Sequence, residues 1–141
     1  MSEYRVVGKR IPKKDAIDKV TGKSQYINSM KLPGMLHAKI LYSKYPHAKI
    51  LNIDTSRAEK LYGVKAVLTG DRVPPVKFCF MKDNMPLKSG KVCSYRDEVA
   101  AVAAISPEIA EEAVELIKVD YEELPGVFDP EQAMQEGAIL I

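Results

Sequence analysis

Residues 99–125 constrain the fold more than any other stretch of the chain. Residues 99–105 read VAAVAAI, an apolar run of mostly small side chains and the length of one buried strand. Small side chains on a strand let a helix approach closely. Ser106 and Pro107 follow, a favoured pair for the N-cap and the first position of a helix. Ile109, Ala110, Ala113, Val114 and Ile117 then recur at helical spacing as an apolar stripe. Residues 118–122 (KVDYE) read as another strand, ended by Leu124-Pro125. Strand, helix and strand in one short stretch call for helices layered on a sheet.

The rest of the chain fits the same class. Residues 1–22 are polar and poorly periodic and read as an N-terminal arm, leaving residues 23–141 as the folded domain. A first strand is expected at Ser24–Ile27, after the turn Asp18–Gly22. Leu32-Pro33-Gly34 is a strong turn signal, and residues 35–42 after it read as a strand too continuously apolar for an exposed edge. A short strand is expected at Ala48–Ile53. Asp54, Thr55 and Ser56 are N-cap residues for a short helix at 57–61, with Gly63 at its C-terminal stop. Residues 64–68 read as a strand, and residues 71–91 as a long irregular loop of the kind that often marks an interaction or active-site segment. Met81 and Met85 in that loop fit surface or core filling, or contact with a partner. Asp129 and Gln132 fit a capping box for a last helix, and Ile139-Leu140-Ile141 resembles the opening of a further strand. The expected fold class is α/β (α+β) with a mixed sheet and short helices packed on it.

A net charge of +2 hides a gradient. Residues 1–50 hold eleven Lys/Arg against three Asp/Glu, residues 51–96 nine against four, and residues 97–141 one against twelve. Such a basic N-terminal part can signal nucleic-acid binding. Here the lysines are dispersed among apolar residues, the tail would repel phosphate, and there is no Trp for base stacking. The basic and acidic parts are therefore expected to face each other or partner subunits, with no nucleic acid bound. No apolar run approaches the ~20 residues of a membrane span, and residues 1–15 lack the apolar core of a secretory signal. Hence a cytoplasmic protein without a membrane anchor is expected. Cys79 and Cys93 have no C-x-x-C spacing and no neighbouring His; reduced thiols are expected, with a disulfide as the alternative.

Chemistry is conspicuous by its lack of motifs. There is no G-x-S-x-G, no G-x-G-x-x-G, no Walker loop and no H-E-x-x-H. His37 and His47 are the two histidines, and neither has an accompanying nucleophile or carboxylate pattern that would make it a general base. Glu108, Glu111, Glu112 and Glu115 fall on one helix face. They fit a solvated face, with cation binding as the alternative. No catalytic, cofactor-binding or metal residue is assigned.

Six segments, in order, carry a resemblance. Residues 19–26 (KVTGKSQY) look like a K-V-T-G-x-A-x-Y opening, and residues 33–38 (PGMLHA) like a P-G-M-L-H-A signature. Ser43 with residues 45–50 (YPHAKI) resembles S-P-Y-P-H-A-R-I. Residues 53–58 (IDTSRA) with 63–70 (GVKAVLTG), then 97–104 (DEVAAVAA) and 119–125 (VDYEELP), complete the set. Together they resemble the α/β hammerhead domain that opens the molybdopterin-binding large subunit of the xanthine dehydrogenase/aldehyde oxidase family. The resemblance spans about residues 8–141. It implies a structural and assembly domain of a molybdenum-containing oxidoreductase, with no cofactor held in this stretch. The parent enzyme would use molybdopterin, with iron–sulfur clusters and FAD in partner domains or subunits. It implies as partners the remainder of the molybdopterin-binding subunit and those iron–sulfur and FAD parts. The family's catalytic Glu and cofactor ligands lie downstream, so no site residue is carried over. A stand-alone binding module of the same fold is the alternative. Two positions depart from the pattern: Arg96 where Gly is usual, and Lys44 where Pro is common.

Overall fold

The computed structural model describes residues 4–139. The chain divides into two compact units, Met1–Pro33 and Gly34–Ile141. Residues 140 and 141 of the anticipated C-terminal strand lie outside the described residues.

The first unit holds one short helix, α1 (Ala16–Val20), where the sequence suggests only an arm. A Lys19–Asp15 ion pair of 2.5 Å spans one helical turn, and Thr21 Oγ1 donates to the Ile17 carbonyl at 2.7 Å. Gly22 then takes the left-handed conformation (φ +70°) that ends a helix at little cost. The strand expected at Ser24–Ile27 does not form. A 3-10 turn occupies Ile27–Ser29 instead, closed by the Ser29 hydroxyl, which accepts from Tyr26 N–H and donates to its carbonyl. Asn28 and Ser29 favour such local bonds, and among the described residues no strand pairs with this backbone.

The second unit contains β1 (His37–Tyr42), β2 (Ala48–Asp54), α2 (Ser56–Lys60), β3 (Val64–Thr69), β4 (Lys91–Val92), β5 (Glu98–Ala104), α3 (Pro107–Leu116), β6 (Lys118–Glu123) and α4 (Pro130–Ala133). The α/β class is as the sequence implies, but the sheet is not one mixed sheet. Six strands form two three-stranded sheets, ordered β1-β5-β3 and β4-β2-β6, and every pairing between them is antiparallel. The reason lies in the connections. A strand–helix–strand sequence gives a parallel pair only when both strands share a sheet. Here α2 carries the chain from β2 in one sheet to β3 in the other, and α3 carries it back from β5 to β6.

β5 binds the two halves together. Ala100 and Val102 pack with Ala58, Val67, Ala113 and Ile117 in one core cluster, while Val99 packs with Ala48 and Val92 in another. A register shift opposite Leu41/Tyr42, where Glu98 begins the strand, separates these two sets. Ala58, Ala100, Ala104, Ala110 and Ala113 are all fully buried. The residue 99–105 run therefore packs as its small side chains suggest, with Ala101 and Ala103 on its half-buried face. Replacing Ala100 by Leu is expected to cost about 2 kcal/mol by overpacking, with a smaller loss for Ala103→Leu. Equal urea midpoints for the two variants would contradict this assignment of faces.

The start of α3 is as expected. Ser106 Oγ accepts from the Ile109 N–H at 3.3 Å, with Pro107 at the first helical position. Ser106→Ala should lower stability by about 1 kcal/mol; an unchanged thermal midpoint would show that this cap is dispensable. The Asp129 cap forms too, but its carboxylate accepts from the Glu131 N–H at 2.8 Å, one position short of the anticipated box with Gln132.

Candidate functional site

The corner between β1 and β2 gathers more buried polar groups than any neighbouring turn. Ser43 and His47 are buried. Ser43 Oγ accepts from Tyr45 N–H at 3.1 Å and donates to its carbonyl at 2.8 Å, while Ser43 N–H donates to the Asp97 carbonyl at 2.9 Å. His47 Nδ1 lies 2.7 Å from the Pro125 carbonyl, and the His47 carbonyl accepts from Leu124 N–H at 2.9 Å. A carbonyl can only accept, so Nδ1 carries a proton. Nε2 is buried and has no hydrogen-bond partner among the described residues. At 4% exposure His47 pins the end of β6 to the start of β2. His37 sits half-buried at the start of β1 in the other sheet. The two histidines therefore serve different sheets.

A groove of about 530 Å³ opens beside this corner, lined among others by Leu41, Tyr45, Val114, Val119 and Tyr121. Tyr45 and Tyr121 meet edge-on with ring centroids 5.2 Å apart. Burial pushes the Tyr121 hydroxyl above its ordinary pKa, against the opposing pull of a hydrogen bond with Ser43. Lys44, Glu115 and Asp120 add charges to the lining. The groove can receive an apolar or amphipathic side chain.

The anticipated acidic face of α3 is solvated. Glu108, Glu111, Glu112 and Glu115 are exposed, and among the described residues no group of three or more His, Cys, Asp or Glu is placed to hold a metal ion. Backbone and Ser106 hydrogen bonds at the helix start hold the Glu108 carboxyl below its ordinary pKa, with His37 assisting. Glu111 pairs with Lys39 at 3.6 Å. Lys49 pairs with its cross-strand partner Glu122 at 3.2 Å, and Lys88 lies 3.8 Å from Asp97. Three basic residues are thus met by carboxylates of the acidic C-terminal part. Around α2, the Asp54 carboxyl is lowered mainly by hydrogen bonds from Ser56, and Glu59 by its bonds with Arg72 and then Thr55.

The stretch between β3 and β5 is not the uniform loop that its prolines suggest. Residues 70–72 form a 3-10 turn, Leu87 is buried, and β4 pairs with β2. Gly70 packs so closely on the backbone of Leu87 and Lys88 that an added Cβ would lie 2.7 Å from Lys88 C and O. Lys88 Nζ donates to Asn84 Oδ1 at 2.6 Å, and Asp97 Oδ2 accepts from the Cys93 N–H at 2.6 Å. Cys79 is exposed and Cys93 half-buried, and both are free thiols. Arg96 is exposed and is not among the positive-φ residues, so this position makes no demand for glycine's backbone freedom. Lys44 is exposed as well.

Residues 21–125 match the aldehyde oxidase and xanthine dehydrogenase a/b hammerhead domain family. The chain belongs to this family. Among relatives, the nicotinate dehydrogenase large molybdopterin subunit of Eubacterium barkeri is 38% identical over 138 residues, covering 96% of this chain and 32% of that protein. A probable xanthine dehydrogenase subunit of Bacillus subtilis is 44% identical over 126 residues, covering 88% and 17%. Among solved structures, the aldehyde oxidoreductase of Desulfovibrio desulfuricans superposes with a TM-score of 0.85 at 33% identity, over 96% of this chain and 17% of that one. Carbon monoxide-reduced Cu,Mo-CO dehydrogenase gives 0.84 at 38% identity, over 94% and 17%. The hammerhead chain thus spans between about one sixth and one third of the length of these relatives.

The names of such relatives raise the question of whether the hammerhead domain itself fits a molybdenum cofactor. Its described residues present no cluster of three or more metal-ligating side chains, and the N-termini of α3 and α4 are capped by their own Ser106 and Asp129 side chains rather than opened by a glycine-rich phosphate turn.

Proposed function

We propose that the hammerhead domain is a structural and assembly part of a molybdenum-cofactor hydroxylase of the xanthine dehydrogenase/aldehyde oxidase type. In this reading the remainder of the large subunit holds molybdopterin, and iron–sulfur clusters and FAD reside in partner domains or subunits. The parent enzyme hydroxylates a carbon, or reduces an aromatic thioester, at molybdenum. The hammerhead domain contributes a rigid two-sheet body and surfaces for assembly, with no cofactor of its own. The observation that carries the reading is one of proportion. The chain covers 17% of a probable xanthine dehydrogenase subunit and 17% of two solved molybdoenzyme or oxidoreductase chains, and its own polar groups are spent on holding its corner and loop together.

A cytoplasmic location and the lack of a nucleic-acid or membrane partner belong to the same proposal. No helix among the described residues is long and apolar enough to cross a membrane. Lys39, Lys49 and Lys88 are each engaged by a carboxylate, which leaves less of the basic half to bind phosphates.

Affinity purification of the tagged protein from its own host tests the proposal. Molybdenum and a molybdopterin-binding polypeptide, whether fused to the chain or separate from it, are expected in one-to-one ratio with it. A chain that purifies alone and free of molybdenum would favour a stand-alone binding module.

A further inference from the structure

The segment before β4 carries an apolar tip that the domain's own core does not use. Phe80 is 101% exposed, Met81 76%, Val76 61% and Phe78 45%. Its foot is nevertheless well tied. Phe78 and Asn84 form an antiparallel bridge through a 3.0 Å hydrogen bond from Phe78 N–H to the Asn84 carbonyl. The Asn84 side chain is held by Lys88, whose own N–H donates to the Glu98 carbonyl of β5 at 2.7 Å. Between the two bridge residues, Lys82 N–H bonds to the Cys79 carbonyl at 3.1 Å, closing a tight turn.

That turn is strained. Cys79 (φ 70°) and Lys82 (φ 51°) are the two non-glycine residues with positive φ among the described residues. Left-handed backbone at such residues costs stability and persists where surrounding structure enforces it. The strain lifts a phenylalanine and a methionine into water, where neither gains anything from this domain. A partner that buries them would recover that loss.

We propose that the Phe78–Met81 tip docks into an apolar pocket on the remainder of the molybdopterin-binding large subunit. This rests on the function proposed above. Two observations select that occupant. The solved chains that this fold matches extend over roughly six times its length, and a relative covered to 32% is itself a large molybdopterin subunit, so most of the covering surface available to the domain belongs to the rest of the same polypeptide. The tip also carries Lys77 and Lys82 beside its aromatic residues, with Asp83 as its one acidic neighbour in residues 76–84. The pocket it fits is therefore apolar with an acidic rim. Large aromatic anchors seated in such pockets carry most of the energy of an interface.

The experiment places the photo-crosslinking residue p-benzoylphenylalanine at position 80 of the complete protein, expressed in its own host and purified as the assembled complex. Mass spectrometry of the crosslinked peptides is expected to find the molybdopterin-binding part of the large subunit. A crosslink to a second copy of this domain, to an iron–sulfur subunit or to a flavin subunit overturns the inference, as does an intact complex with no crosslink from position 80. A protein that purifies alone and free of molybdenum overturns the proposed function along with it. In parallel, Phe80→Ser in the complete protein should speed hydrogen exchange about tenfold in the large-subunit segment that crosslinks to position 80. Exchange there equal to that of the unaltered protein would contradict the proposal.

Discussion

Replacing Gly70 with alanine is expected to cost the hammerhead domain about 3 kcal/mol, the upper end of the overpacking range. Gly70 is buried where β3 ends, and the chain returning toward β5 lies directly on it. A Cβ at this position would sit 2.7 Å from both the carbonyl carbon and oxygen of Lys88, and 2.9 Å from the Leu87 oxygen. These are backbone atoms, so no rotamer change relieves the clash. Moving them would also pull Leu87 from its buried seat and Lys88 from Glu98. A fall in thermal midpoint of roughly 10 °C is expected. Gly90→Ala is the control: its added Cβ meets nothing within 4 Å, and only its left-handed backbone (φ +84°) opposes the change. That variant should lose about 1 kcal/mol. If Gly70→Ala melts no lower than Gly90→Ala, residues 87–88 do not pack on Gly70.

Replacing Asp97 with alanine should cost a similar amount, also about 3 kcal/mol. Its carboxylate accepts the Cys93 N–H at 2.6 Å and lies 3.8 Å from the Lys88 ammonium. The two side chains are only 18% and 14% exposed. Alanine would leave a largely buried cation with the neutral Asn84 amide as its hydrogen-bond acceptor, and the Cys93 N–H without its carboxylate. Asp97→Asn keeps an acceptor for Cys93 and removes only the charge, so it should lose less, about 1–2 kcal/mol. Chemical denaturation of both variants checks the order. Equal losses would mean that the hydrogen bond to Cys93 contributes nothing.

Both residues belong to the segments on which the family resemblance rests, and the packing explains why such residues stand there. Gly70 closes the residue 63–70 segment because a backbone crosses it. Gly63 opens that segment with φ +93° and with Ile109 and Ile105 side chains within 2.8–3.0 Å of where its Cβ would be. Asp97 begins the residue 97–104 segment because it fastens the preceding loop. His47 stands in the residue 45–50 segment as a pin to Pro125. In the sequence it is a lone histidine without a catalytic neighbour, and the partner that gives it a role lies 78 positions away.

Local signals made β5, the Ser106 cap and α3 legible, since a small-residue run, an N-cap and an apolar stripe act within a few residues of one another. Strand pairing was not legible at the same level. Whether α2 and α3 return the chain to the same sheet depends on contacts far apart in sequence, and the chain uses both helices to change sheets. α1 was missed because it buries no residue and so leaves no apolar stripe. The two-residue β4 is too short for any periodicity, and its partner β2 lies some forty positions earlier.

The most direct test of the central claim is the cofactor content of the purified 141-residue chain. Metal analysis and an absorption spectrum should show no stoichiometric molybdenum, iron or flavin in the folded hammerhead domain. Two cysteines fall short of the four thiolates that hold a typical iron–sulfur cluster, and one of them, Cys79, is exposed on the loop. Stoichiometric molybdenum, iron or flavin bound to this chain alone would contradict the assembly role and place a cofactor site within it.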